Sequence, residues 1–165
     1  MQIVRVEEGN FLYQSATIMR DDVAVLSEYG DALIREAAAN RMSVSGALQL
    51  HYRINQRMSL PVEVHLALPV ASFVDDYDGL FHLKRTDAFF CIADVIHASP
   101  GLFADRWRKL ERAVSILHLE RGWGYREILA STEGERYSGF RILQLEVCFS
   151  GHQHWSLSTS SLTSK

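Results

Sequence analysis

The sequence predicts an α+β protein built from a duplicated β-α-β-β unit, with an antiparallel curved sheet, two main helices and a cleft between the repeats. Three observations predict it. Apolar and polar residues alternate in several short runs, two stretches carry apolar residues at helical spacing, and the order of these runs recurs along the chain. The 165 residues, 47% of them hydrophobic, are enough for one core.

The first repeat occupies about residues 10–70. FLYQSATIM, from Phe11, is apolar and β-branched, as a strand requires. Asp21 and Asp22 offer N-caps to a helix bearing Val23, Leu26, Tyr29, Leu33 and Ala37. That helix should stop near Met42, where Ser43, Ser45 and Gly46 interrupt it. GALQLHYRI alternates through Leu48, Leu50, Tyr52 and Ile54; after a turn, PVEVHLALPV alternates through Val62, Val64, Leu66 and Leu68. The second repeat, about residues 88–149, follows the same order. FFCIADVIH is its first strand, with Phe89 and Ile96 in the places of Phe11 and Ile18. Ser99 and Pro100 read as a hydroxyl cap and a first-turn proline for a helix carrying Phe103, Trp107, Leu110, Val114 and Leu117. YREILAST and FRILQLEVCF close the repeat as strands. Between the repeats, ASFVDDYDGLFHLKRTD is an acidic connector; Asp75, Asp76 and Asp78 lack the later ligands of a calcium loop and read as exposed turn. The domain therefore spans 1–149, and 150–165 is a polar, Ser/Thr-rich tail.

Charge and composition narrow the function. Seventeen Lys and Arg against 20 Asp and Glu leave a formal charge of -3, which argues against direct binding of nucleic acid. The basic helix face of Arg106, Arg108, Lys109 and Arg112 is interrupted by Asp105 and Glu111 and reads as solvated. No apolar run is long enough to span a membrane and MQIVRVEEGNF lacks the marks of a signal peptide, so a cytoplasmic protein without a membrane partner is expected. Cys91 and Cys148 form no CxxC and no disulfide framework. His51 and His65 can approach across a strand pair, but no full ligand set accompanies them, so neither a metal nor another cofactor is expected. No GxSxG elbow or glycine-rich phosphate loop is present.

The seam between repeats is a natural place for a small molecule. Tyr13, Tyr29, Tyr52, Phe90, Phe103, Trp107, Trp123 and Tyr125 are available to line it, although aromatic residues on apolar helix faces also serve as plain core. Glu127 is the sharper signal. It shares a strand face with Tyr125 and Leu129, where its carboxylate would lose solvation and its pKa would rise. Such a group can pair with a cation that aromatic faces also attract, or accept a proton. The other reading is a solvent-facing Glu beside Arg126 on an edge strand. Gln49 takes the matching place in the first repeat.

LFHLKRTDAFFCIADVIHASPGLFADRWRKLERAV, GWGYREIL and FRILQLEVCF resemble the GyrI-like effector-binding domains, which also occur behind the DNA-binding segments of some multidrug-responsive regulators. SGALQLHY and PVEVHLALPV fit the family's first half, so the resemblance covers roughly residues 1–149. It implies that Glu127 is the carboxylate that faces cationic aromatic compounds inside the cleft, and no catalytic residue is assigned. With it the proposed binding set is Trp107, Tyr29, Phe90, Tyr125, Leu129, Tyr13 and Tyr52. The chain departs from the family where Leu129 replaces a Tyr, where no Pro precedes the Glu127 strand, and where the last strand ends CFSG. No helix-turn-helix precedes residue 11, so a stand-alone member is expected, acting alone, as a homodimer or through a partner regulator protein. Some stand-alone members resemble hydrolases of small electrophilic compounds with the carboxylate as general base, against which Leu129 tells. A sequestering or interaction protein is the third reading.

Overall fold

The computed structural model describes residues 1–19, 22–53, 61–97, 103–129 and 140–149. In chain order they form β1 (Gln2–Val6), β2 (Gly9–Ile18), α1 (Val23–Ala39), β3 (Gln49–Arg53), β4 (Val62–Val70), β5 (His82–Thr86), β6 (Phe89–His97), α2 (Phe103–Ile116), β7 (Glu120–Leu129) and β8 (Phe140–Cys148). The strands make one eight-stranded sheet in the order β1-β6-β8-β7-β3-β4-β2-β5. Every neighbouring pair is antiparallel. The expected order of strand, helix, strand, strand appears as β2-α1-β3-β4 and again as β6-α2-β7-β8, and β3 meets β7 at the middle of the sheet.

The alternation read from the sequence decides which side of the sheet is covered. Leu12, Ile18, Leu50, Tyr52, Val62, Val64, Leu66 and Leu68 join Ile92, Ile96, Tyr125, Leu129, Leu143 and Leu145 in a single buried cluster. Leu26, Leu33 and Ala37 of α1 and Trp107, Leu110 and Val114 of α2 belong to the same cluster, so both helices lie on that face. None of the described helices is long and apolar enough to cross a membrane.

Asp22 caps α1 as expected, its carboxylate accepting from the Val25 N–H at 3.1 Å. Asp21, the Ser99–Pro100 start of α2, the turns at 54–60 and 130–139 and the tail from Ser150 lie outside the described residues. The two helices end alike, and not on glycine. Met42 N–H donates to Ala37 C=O at 2.8 Å and Arg41 to Ala38, while Leu119 N–H donates to Val114 at 3.0 Å and His118 to Ser115. Arg41 at φ 56° and His118 at φ 53° occupy the left-handed position that this motif requires.

Three features depart from the sequence reading. β1 and β5 were not expected, because the opening residues and the connector carry little periodic signal. They form as edge strands by pairing with β6 and β2. The acidic connector is thus only partly turn. β7 also begins earlier than the YREIL run: a bulge between Arg121 and Tyr125 lets the strand continue through Gly122 and Gly124. A side chain on Gly122 would collide with Glu146, which lies along it, so the glycines mark close packing within a strand and not its boundary.

The left-handed His118 supplies a test. His118→Gly removes a side chain from a conformation that costs an L-residue roughly 1 kcal/mol, and should raise the melting temperature by about 2–4 °C in a domain of this size. Calorimetry on the variant checks it.

Candidate ligand-binding site

Glu127 is placed by three strands. β7 is an interior strand flanked by β3 and β8, with Leu50 and Leu143 opposite Glu127 on either side. The carboxylate is completely buried, which overturns the edge-strand reading. Tyr125 and Leu129 share its face and are equally buried, as alternation requires. The Tyr52 hydroxyl donates to Glu127 Oε1 at 2.6 Å, and Arg141 Nη1 donates to Oε2 at 2.9 Å. Arg141 is itself only 2% exposed, so the pair is buried on both sides. The sequence reading expected a carboxylate without a counter-charge. The counter-charge comes from β8, where Arg141 sits opposite Leu129. Its sign was legible, since alternation in FRILQLEVCF puts Arg141 in line with Leu143, Leu145 and Val147, an arginine in a core-facing row.

Around the carboxylate stand three rings. Tyr52 stacks on Tyr125 with centroids 5.8 Å apart, and Trp107 meets Tyr125 edge-on at 4.9 Å and Tyr52 at 6.0 Å. The Tyr125 hydroxyl donates to Glu111 Oε1 on α2 at 3.1 Å, tying helix to strand. The indole N–H of Trp107 is buried with no hydrogen-bond acceptor among the described residues.

Of the expected site residues, Tyr52, Trp107, Tyr125, Glu127 and Leu129 are brought together. Tyr29 packs against the core from α1, which covers β2 and β4. Phe90 lies on the same face but toward the far end of β6, edge-on to Phe149 at 5.0 Å. Tyr13 is on the other face: Leu12 points toward the helices, so its neighbour points away, stacked on His65 at 4.6 Å. Gln49 is on that other face too, because Leu50 and not Gln49 opposes Glu127. The side chains of Phe103 and Trp123 are outside the described residues.

The helix-free face has a different chemistry. Lys84 lies 3.2 Å from His65 Nδ1 and over the Tyr13 ring, and Arg126 lies over the rings of Phe89 and Phe11. His51 Nε2 is 2.7 Å from Gln49 Oε1, and its ring meets Phe11 edge-on. Burial pushes the His51 pKa well below its usual value, helped by the positive charges of Lys84 and Arg126. Burial and then Arg126 lower Lys84 to about 8, and burial lowers Arg126 to about 10 against the pull of Glu146. Burial raises the Cys91 thiol to about 11, which makes it a poor nucleophile. No group of three or more metal-ligating side chains forms among the described residues.

Neither a protein-family model nor a curated protein matches the chain by sequence. Solved structures do match in fold. The C-terminal domain of EcmrR superposes with a TM-score of 0.74 at 10% identity, over 90% of this chain and 97% of that one. A hydrolase from Listeria innocua matches at 0.62 and 14% identity, over 89% and 91% of the two chains. SAV2435, solved bound to tetraphenylphosphonium, matches at 0.57 and 7% identity, over 93% and 96%. The chain therefore shares its fold with the C-terminal domain of EcmrR, the Listeria innocua hydrolase and SAV2435.

The buried pair generates a prediction. Arg141→Met leaves the Glu127 charge without its guanidinium, and should cost about 3–5 kcal/mol of unfolding free energy. Adding Glu127→Gln to that variant should restore part of the loss, and urea denaturation of the two single variants and the double variant measures both effects.

Proposed function

We propose that the protein binds a small, hydrophobic, cationic aromatic compound beside Glu127, at the junction of the two halves of the sheet. The observation that carries this reading is the complete burial of a carboxylate against Tyr52, Tyr125 and Trp107. A buried carboxylate needs a matched positive charge, and aromatic faces attract cations. Arg141 fills that role in the structure. A ligand cation takes it over, entering between α2 and β7, where the buried Trp107 and Tyr125 rings meet. The recurrence of β-α-β-β, with both helices closed by the same left-handed cap, supports treating the halves as repeats with the site at their seam. The likeness to SAV2435 in complex with tetraphenylphosphonium supports the class of ligand. Tyr29 and Phe90 are then outlying members of the set, and Leu129 packs opposite Arg141.

One observation favours a second reading. The Tyr52 phenol sits 2.6 Å from Glu127, so a tyrosine partner that Leu129 cannot provide is supplied from β3. A hydrolase of small electrophiles would use Glu127 as general base toward water and Tyr52 to polarise the substrate; the Listeria innocua match is a hydrolase. Both Glu127 oxygens already accept from protein donors, which suits charge pairing better than proton abstraction.

A thermal-shift comparison of wild type and Glu127→Gln separates the readings, with tetraphenylphosphonium, a neutral triphenyl compound and a small epoxide as probes. A ligand at a hundred times its Kd stabilises the fold by about 2.7 kcal/mol. The cation should shift wild type and not the variant, while the neutral compound treats the two alike. Equal loss of both classes would contradict charge pairing, and epoxide turnover abolished in the variant would establish the hydrolase.

A further inference from the structure

The helix-free face concentrates positive charge in a protein whose net charge is -3. Lys84 on β5 and Arg126 on β7 flank Phe11 of β2: Lys84 is paired with Phe11 in the ladder, and the Arg126 guanidinium lies 5.6 Å from the Phe11 ring. Both side chains are partly buried, and neither makes an ion pair among the described residues. What holds them is aromatic, with Arg126 4.3 Å from the Phe89 ring centroid and Lys84 4.8 Å from that of Tyr13. His51 and His65 lie between them. Acids on this face include Glu146, which runs along Gly122 and Gly124 on the Arg126 side, and Glu63, two residues from His65 on β4.

Cation–π contact compensates only part of the cost of holding two like charges close together and half out of water. Burial lowers both groups, bringing Lys84 to about 8 with the Arg126 charge adding to the shift, and Arg126 to about 10 against the pull of Glu146. An anion between them would relieve both effects through charge-assisted hydrogen bonds. From the placement of Lys84 and Arg126 about Phe11, we infer that the helix-free face is a second binding site, for a small oxyanion such as a carboxylate or phosphate group. It lies across the sheet from Glu127 and is independent of the function proposed for that residue. Arg126 offers the planar fork that suits a two-oxygen group, and Lys84 the second charge. Glu146 limits the site on the Arg126 side, which favours a singly charged carboxylate over a doubly charged phosphate.

The experiment is a titration of the whole chain with sodium benzoate and with inorganic phosphate, each against sodium chloride at equal ionic strength, at pH 7. Melting temperature and calorimetric affinity are read for wild type, Lys84→Met, Arg126→Gln and the control Arg108→Gln on the outer face of α2. A saturable rise in melting temperature is expected in wild type and the control, with affinity at least tenfold weaker in Lys84→Met and Arg126→Gln. Stronger binding of benzoate identifies a carboxylate site, and stronger binding of phosphate an oxyanion site in which Glu146 has little influence. Without added anion, Lys84→Met should raise the melting temperature, because it removes one of two repelling charges. Lys84 sits on an edge strand, so this variant carries the test even if Arg126→Gln fails to fold. The inference is overturned if chloride reproduces the effect, if Lys84→Met binds as wild type does, or if Lys84→Met melts lower, which would make Lys84 a cation–π support of the fold and nothing more.

Discussion

A carboxylate is sealed inside the sheet, and the centre of the molecule is organised to hold it. Glu127 on β7 receives the Tyr52 phenol from β3 and the Arg141 guanidinium from β8, so one side chain couples the three central strands. Taking two charges out of water is expensive, and their attraction offsets that cost only when the geometry is good and the remaining lone pairs are satisfied. Removing either partner would leave the other charge buried and unpaired. A slip of one residue in β7 would turn Glu127 to the helix-free face, beside Glu146, and leave Arg141 buried without it.

The two faces of the sheet consequently carry opposite characters. Under the helices lie an acid, a matched base and three rings, all closed to solvent. On the helix-free side Lys84 and Arg126 stand over aromatic rings, with histidines between them and Glu146 at the Arg126 margin. Alternation along β7 makes both at once, because Glu127 and its neighbour Arg126 must point to opposite sides. The dipeptide Arg126–Glu127 is the shortest statement of how one strand serves two surfaces.

Much of this was legible in the sequence. Regular alternation located β2, β3, β4, β6 and β8, helical spacing located α1 and α2, and the shared face of Tyr125, Glu127 and Leu129 followed from period two alone. What failed depended on information that one strand does not contain. β1 and β5 exist because β6 and β2 offer them edges, so their own residues carry little pattern. Tyr13 and Gln49 were misplaced by one residue of register, which suffices to change face. Arg141 was overlooked although its core-facing row announced it, because its partner lies on another strand and the pairing is visible only once β7 and β8 adjoin. The glycines at 122 and 124 lie within β7, and the structure uses them to clear space for Glu146.

The account stands on the claim that the charge beside Glu127 is exchangeable between Arg141 and a ligand. The most direct measurement is the melting temperature of Arg141→Met with and without tetraphenylphosphonium, set against wild type. The account predicts that the cation stabilises the variant more than wild type, by supplying the charge that the substitution removed. A shift equal to or smaller than that of wild type would show that the ligand does not reach Glu127, and the buried pair would then be a structural element of the core.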